Sequence, residues 1–216
     1  MHHFSKIQVM AKHQATSAPG QIRIIGGQWR GRKLPVPDSP GLRPTTDRVR
    51  ETLFNWLAPV IAHSRCLDCF AGSGALGLEA LSRAASHATL LEAERNVARQ
   101  LTQNLALLRA GNAEVVNTDT LQWLAKPAST QPFDVVFLDP PFRCGLLDDT
   151  LRLLEAGNWL AEEAWVYIET EAENRLLTIP PTWTLHREKT AGQVSYRLYI
   201  RHASDATPGG NDEHWD

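Results

Sequence analysis

The chain has 216 residues, 43% of them hydrophobic, and a formal net charge of −2. That is enough apolar material for one full core with appendages, and no apolar stretch approaches the roughly 20 residues a membrane span needs. The first 20 residues are polar and His-rich, without the apolar centre of a signal peptide, and three cysteines, an odd number, fit a reducing compartment. A cytoplasmic protein is expected. Cys66 and Cys69 form a Cys-x-x-Cys pair, but no second Cys or His pair follows at zinc spacing, so they read as buried small residues and no metal is expected.

The small net charge conceals an uneven distribution. Between Gly20 and Arg50 lie Arg23, Arg30, Arg32, Lys33, Arg43, Arg48 and Arg50 against Asp38 and Asp47, a local excess of five positive charges. A basic arm on a nearly neutral body suits a polyanionic partner.

Residues 1–20 and 203–216 are poor in apolar side chains and are expected to be disordered tails, the second of them acidic. Ile22 to Pro37 reads as a β-hairpin turning at Gly26-Gly27. Thr45-Thr46-Asp47 offers N-cap chemistry for a helix through Val49, Leu53, Phe54, Trp56 and Leu57, apolar at helical spacing. From Arg65 the pattern becomes alternation. A strand over Cys66–Phe70, a Gly-rich turn and a helix over Ala75–Ala85 come first. A strand over Ala88–Leu91 ending at Glu92, a helix over Asn96–Arg109 and a strand over Glu114–Asn117 ending near Asp119 follow. Next come a strand over Phe133–Leu138, a helix over Leu147–Glu155 and a strand over Trp165–Ile168. Thr184–Lys189 and Ser195–Arg201 close the chain as an antiparallel hairpin. Short apolar strands alternating with amphipathic helices predict an α/β protein. Its Rossmann-like sheet would be mostly parallel, with an antiparallel C-terminal hairpin and an N-terminal hairpin-and-helix extension.

The most informative stretch is Leu138-Asp-Pro-Pro-Phe142, which follows the apolar run Val135, Val136 and Phe137. Proline has no N–H to donate and holds the residue before it extended. Asp139, Pro140 and Pro141 therefore form a rigid corner of hydrogen-bond acceptors, with Phe142 as a flat apolar face beside it. A planar group carrying an NH₂ suits such a corner.

Gly72-Ser73-Gly74-Ala75-Leu76-Gly77, after a strand and before a helix, matches Gly-x-Gly-x-x-Gly, which alone would suggest a dinucleotide. Asp68, four residues before the first glycine, argues against that, because a carboxylate there would repel a pyrophosphate at the helix N-terminus. A cofactor with an ammonium would welcome it. S-adenosylmethionine needs an acid near the Gly-rich turn, an acid for the ribose diol and a polar group for adenine, and Asp68, Glu92 and Asp119 stand in that order at successive strand ends.

The run Arg65-Cys-Leu-Asp-Cys-Phe-Ala-Gly-Ser-Gly-Ala-Leu-Gly-Leu-Glu-Ala, with Leu138-Asp-Pro-Pro-Phe142, resembles the class I S-adenosylmethionine-dependent methyltransferases. Gln21-Ile-Arg-Ile-Ile-Gly-Gly-Gln-Trp-Arg-Gly-Arg-Lys-Leu and Leu42-Arg-Pro-Thr-Thr-Asp-Arg-Val-Arg-Glu-Thr-Leu-Phe-Asn-Trp resemble one bacterial family within that class, the 16S rRNA (guanine(966)-N2)-methyltransferases, over about residues 20 to 201. The resemblance implies a sheet with its seventh strand inserted antiparallel, and S-adenosylmethionine as cofactor. It implies methylation of the exocyclic N2 of one guanine in 16S rRNA, within an assembled small-subunit particle. It divides the chain into an N-terminal basic hairpin and lid helix over 21–60 and a catalytic domain over 61–202, expected to act as a monomer.

Carried onto this sequence, the resemblance assigns the cofactor to Asp68, Phe70, Gly72, Ser73, Gly74, Gly77, Glu92 and Asp119. Thr45 and Thr46 sit in a lid segment. The catalytic corner is Asp139, Pro140, Pro141 and Phe142. RNA contacts are expected from Arg23, Arg30, Arg32 and Lys33 on the hairpin, from Arg43, Arg48 and Arg50 around the lid, and from Arg143 beside the corner. Three alternatives remain: a methyltransferase acting on a protein glutamine amide, whose corner usually resembles Asn-Pro-Pro-Tyr; an NAD-dependent dehydrogenase, which would have to tolerate Asp68; and a non-catalytic RNA-binding protein, which would have no reason to keep the whole cofactor constellation.

Overall fold

The structure is a computed structural model that describes residues 20–39, 42, 46–141, 145–172 and 177–203. In chain order the elements are β1 (Gln21–Arg23), β2 (Lys33–Pro35), α1 (Asp47–Leu57), β3 (Arg65–Asp68), α2 (Ala75–Ser82), β4 (His87–Glu92), α3 (Arg95–Leu107) and β5 (Ala113–Asn117). Then follow α4 (Thr120–Ala125), β6 (Phe133–Leu138), α5 (Leu147–Ala156), β7 (Leu160–Glu171), β8 (Trp183–Ala191) and β9 (Val194–His202). Seven strands form one sheet in the order β5-β4-β3-β6-β7-β9-β8. The pairs from β5 through β7 are parallel, and β9 lies antiparallel between β7 and β8. The expected α/β sheet with its antiparallel C-terminal hairpin and inserted seventh strand is the observed one.

Alternation of side chains along each strand supplies both faces of the sheet. On one face Cys66, Leu90, Phe137 and Tyr167 pack with α1, α2 and α3 and with Ile22 and Leu34 of the N-terminal hairpin. On the other, Leu67, Leu91, Leu138 and Ile168 pack with Leu124 of α4 and Leu147, Leu151 and Leu154 of α5. Helix α4 was not anticipated, and β7 begins at Leu160 rather than Trp165. Strand β3 stops at Asp68, two residues earlier than expected. No helix among the described residues is long and apolar enough to cross a membrane.

The N-terminal hairpin is narrower than its sequence suggests, because β1 and β2 hold only three residues each and the segment between them docks on α2. Glu79 of α2 is fully buried. Its carboxylate accepts from the backbone N–H groups of Ile25 (3.0 Å) and Gly26 (2.9 Å) and from Arg83 Nε (2.9 Å). Ser82 donates through Oγ to the Gly26 carbonyl (2.6 Å) and accepts from the Trp29 N–H (3.0 Å). Gly27 has φ +79°, and a Cβ there would lie 1.9 Å from the Ser82 carbonyl oxygen, so only glycine permits this approach.

Arg50 corrects an expectation. Its guanidinium was assigned to RNA, but the residue is 2% exposed and faces inward from α1. It donates to the Arg23 carbonyl (2.8 Å) and to Asp47 (2.8 Å), and lies 3.6 Å from Glu79. Neighbouring Val49, Leu53 and Phe54 fill the same buried face, so Arg50 ties α1 to the hairpin and to α2. Replacing Glu79 with Ala removes the buried carboxylate between Arg50 and Arg83 and strips two backbone donors of their acceptor. We expect a loss of about 3–5 kcal/mol in chemical denaturation; a loss below about 1 kcal/mol would show that the cluster does not anchor the extension.

Candidate active site

Strand order reverses on either side of β3, since the chain continues from it to β4 and β5 on one side and later fills β6 and β7 on the other. The crevice beyond the carboxyl ends of the strands at such a point is where open α/β sheets bind ligands. A cavity of about 470 Å³ lies there, within the range of small-molecule sites.

Pleat alternation decides what the cavity receives. Cys66, Leu90, Phe137 and Tyr167 all face the α1–α3 side. Two residues further along each strand come Asp68, Glu92, Asp139 and Glu169, which therefore emerge on that same side, and all four line the cavity. Four neighbouring strands thus carry four carboxyl groups to the cavity on one face, at or near their ends.

Asp68 is 2% exposed. Its Oδ2 accepts from the Gly77 N–H at 3.2 Å, and its Oδ1 is buried with no hydrogen-bond partner among the described residues. Burial pushes the carboxyl up to about 7; the N–H groups of Gly77 and Phe70 oppose that rise and the charge of Glu92 adds to it. A buried carboxyl oxygen without a donor is costly unless a cation or donor meets it. In a cavity wall it fits the ammonium of an amino-acid-bearing cofactor and does not fit a pyrophosphate.

The turn after β3 is shaped by its glycines. Gly72 and Gly74 have φ of +54° and +81°, and a Cβ on Gly74 would lie 2.5 Å from Leu101. Glu92 braces the turn from β4: Oε2 accepts from the Gly72 N–H (2.7 Å) and Oε1 from the Glu94 N–H (2.9 Å). A carboxylate has about four acceptor positions, so Glu92 is held rigidly and retains capacity for ribose hydroxyls. Phe70 and Ser73 line the same cavity.

Asp119 lies past the end of β5 as the N-cap of α4, its Oδ1 accepting from the Gln122 N–H at 3.0 Å. It borders the cavity, but part of its acceptor capacity serves the helix, a role the strand-end reading did not foresee. Thr120 donates to the Cys69 carbonyl, joining α4 to the end of β3. Thr46 borders the cavity as the N-cap of α1, accepting from the Val49 N–H at 3.3 Å. Thr45, Arg43, Phe142 and Arg143 lie outside the described residues.

Asp139 is half-buried at the end of β6, and Pro140 and Pro141 line the cavity beside it. The residue that sequence reasoning missed is Glu169. It is 9% exposed, lines the cavity from β7, and accepts from Tyr167 Oη at 2.9 Å. Its signal was present, since β7 also carries an acid two residues beyond an inward-facing core position.

The basic residues stand elsewhere. Arg30, Arg32 and Lys33 are exposed on the hairpin, Arg32 donating to the Leu107 carbonyl at 3.4 Å. Arg23 pairs with Asp47 at 3.0 Å on the surface, and Arg48 is exposed at the start of α1. None of these side chains lines the cavity. Among the described residues no group of His, Cys, Asp and Glu is placed to hold a metal ion.

Comparison with known proteins agrees with this geometry. The family model described as conserved hypothetical protein 95 matches residues 22–200. The ribosomal RNA small subunit methyltransferase D of Escherichia coli K12 is 68% identical over 187 residues, 87% of this chain and 93% of the relative. The Haemophilus influenzae protein of the same name is 55% identical over 192 residues, 88% of this chain and 99% of the relative. A solved Escherichia coli structure is 66% identical with a TM-score of 0.80, covering 85% of this chain and 99% of that one. The chain belongs to the ribosomal RNA small subunit methyltransferase D family of class I methyltransferases.

Proposed function

We propose that this protein methylates an exocyclic amine of 16S ribosomal RNA, the N2 of guanine 966, with S-adenosylmethionine as donor. The carrying observation is the orphaned Oδ1 of buried Asp68 in the same cavity as the Asp139-Pro140-Pro141 corner. An ammonium site and an amine-acceptor corner share one chamber, which is what methyl transfer to an amine requires. Family membership supplies the choice of RNA, and the guanine is read from the sequence resemblance.

Asp68 would hold the cofactor's ammonium and Glu92 its ribose hydroxyls, and the positive-φ glycines Gly72 and Gly74 shape the turn against which it would lie. S-adenosylmethionine supplies a methyl group activated by a sulfonium. Asp139 and the Pro140 carbonyl accept from the two hydrogens of the target amine, and these bonds favour a pyramidal nitrogen with its lone pair directed at the methyl carbon. As the nitrogen gains positive charge, the Asp139 carboxylate stabilises it; the electrons of the broken S–CH₃ bond stay on sulfur as a neutral thioether, and the nitrogen sheds one proton to Asp139 or to water. The remaining acceleration is positional, holding nitrogen and methyl in line. Phe142, next along the chain, stacks on the extruded base, worth about 1–3 kcal/mol. A base inside a duplex cannot reach such a corner, so the target nucleotide must leave its stack.

The basic hairpin is the proposed phosphate-binding extension over 21–60, set on the catalytic domain over 61–202, with Arg30, Arg32 and Lys33 as its exposed charges. The protein acts as a monomer in the cytoplasm on an assembled small-subunit particle.

Replacing Asp139 with Ala should lower methyl transfer to unmodified small-subunit particles by about 10²–10³-fold or more, with cofactor affinity in calorimetry nearly unchanged. Retained turnover would remove Asp139 from its role. The ionised form of Asp68 is the one that binds an ammonium, and its carboxyl titrates near 7. Cofactor affinity should therefore fall up to tenfold per pH unit below about 7 and level off above it. Asp68→Asn should bind weakly with no slope across pH 5.5–7; an unchanged slope in that variant would assign the titration to another group. Replacing Arg30, Arg32 and Lys33 together with Ala should weaken RNA binding and reduce the dependence of log affinity on log salt by about two to three, whereas an unaltered slope would place the phosphate contacts elsewhere.

A further inference from the structure

Strands β6 and β7 run parallel with Leu138 opposite Ile168. The next residues, Asp139 and Glu169, therefore stand side by side with their side chains on the same face, and both line the cavity that holds the unpartnered Asp68 oxygen. Glu169 is anchored from below. Tyr167, 0% exposed, donates its hydroxyl to Glu169 Oε2 at 2.9 Å. Burial and the charges of Glu169 and Asp139 hold the Tyr167 phenol well above its ordinary value, so it stays a donor. A carboxylate has about four acceptor positions, and Tyr167 occupies one of those on Glu169.

Two adjacent acceptors of like charge select an edge with two adjacent donors. Guanine offers that edge, with the ring N1–H directly beside the N2 amine. Adenine and cytosine place a ring nitrogen lone pair next to their amine, and a carboxylate set against it would be repelled. Enzymes that extrude a base read it by hydrogen bonds to this same edge.

We propose that Glu169 is a specificity residue, whose carboxylate accepts the N1–H of the guanine whose N2 amine is held by Asp139, and that the pair thereby selects guanine over adenine and cytosine. The inference rests on the methyltransferase reading above and adds to it a physical reason for the base. Tyr167 is a positioning residue, acting through Glu169.

The test uses small-subunit particles reconstituted with rRNA that carries either guanine or 2-aminopurine at the methylated position. 2-Aminopurine keeps the N2 amine but has an unprotonated N1. The wild-type protein should prefer guanine in kcat/KM by about 10- to 100-fold. In Glu169→Gln the amide oxygen still accepts from Tyr167 while the amide N–H faces the base, so the preference should fall to within about threefold or invert. Tyr167→Phe, which keeps the carboxylate but frees it to move, should give an intermediate ratio. Cofactor titration reports the fold of each variant, and if Glu169→Gln does not fold, the Tyr167→Phe ratio decides. Equal losses on both substrates, leaving the wild-type ratio intact, would make Glu169 purely structural and overturn the proposal, as would a wild-type protein that treats the two bases alike. A wild-type protein that methylates neither would instead overturn the methyltransferase reading on which it rests.

Discussion

A carboxyl group that is 2% exposed, with one oxygen lacking a donor, is expensive to bury, and the sheet holds Asp68 there by position rather than by pairing. Strand β3 is an inner strand at the reversal of strand order, so its last residue has neighbours on both sides and a helix N-terminus ahead. The Gly77 N–H meets one oxygen and leaves the other to the cavity. A Cβ at position 77 would lie 2.8 Å from Leu90 and 3.4 Å from Asp68 Oδ2, so glycine lets the helix pack close enough to make that bond. The rest of the site is arranged around this unmet acceptor. Glu92 fixes the turn, and Asp139 and Glu169 continue the same row of strand ends across β6 and β7. A row of carboxyl groups is hostile to phosphate and hospitable to a ligand that carries an ammonium and a sulfonium beside an amine that becomes cationic in the reaction.

The N-terminal extension depends on a second buried charge cluster of opposite purpose. Glu79 pairs with Arg50 and Arg83 and accepts from the hairpin backbone, so these charges are engaged in attachment. The exposed charges of the hairpin then project from a surface joined to α2 and the central sheet. Separation of the two roles explains why the basic segment, uniform as a sequence, contains both anchoring and solvent-facing arginines.

Much of this was legible in the chain. Strand and helix alternation from Arg65 onward yielded the sheet, and acids at successive strand ends singled out Asp68, Glu92 and Asp139. What stayed hidden depends on distant partners. Arg50 looks like its basic neighbours until Glu79, far along the chain, is folded against it. Glu169 carries no motif, and the acid two residues past an inward-facing position on β7 gains its meaning from register with Asp139 across two parallel strands. Strand β7 was read too short because Leu160–Glu163 lacks β-rich residues, and its length is imposed by a ladder with β9 from Glu163 to Glu171. Helix α4 has only six residues, too few to show a helical period. Asp119 was identified as a candidate ligand, but its capping role belongs to that short helix.

The central claim is that the corner presents an amine of RNA to a bound methyl donor. It is tested most directly by incubating the purified protein with small-subunit particles from a strain lacking the enzyme, together with a donor carrying a deuterated methyl group, and digesting the rRNA to nucleosides for mass spectrometry. The account predicts one labelled N2-methylguanosine per particle and none with Asp139→Ala. Label on a ring nitrogen, a ribose or a ribosomal protein would contradict it.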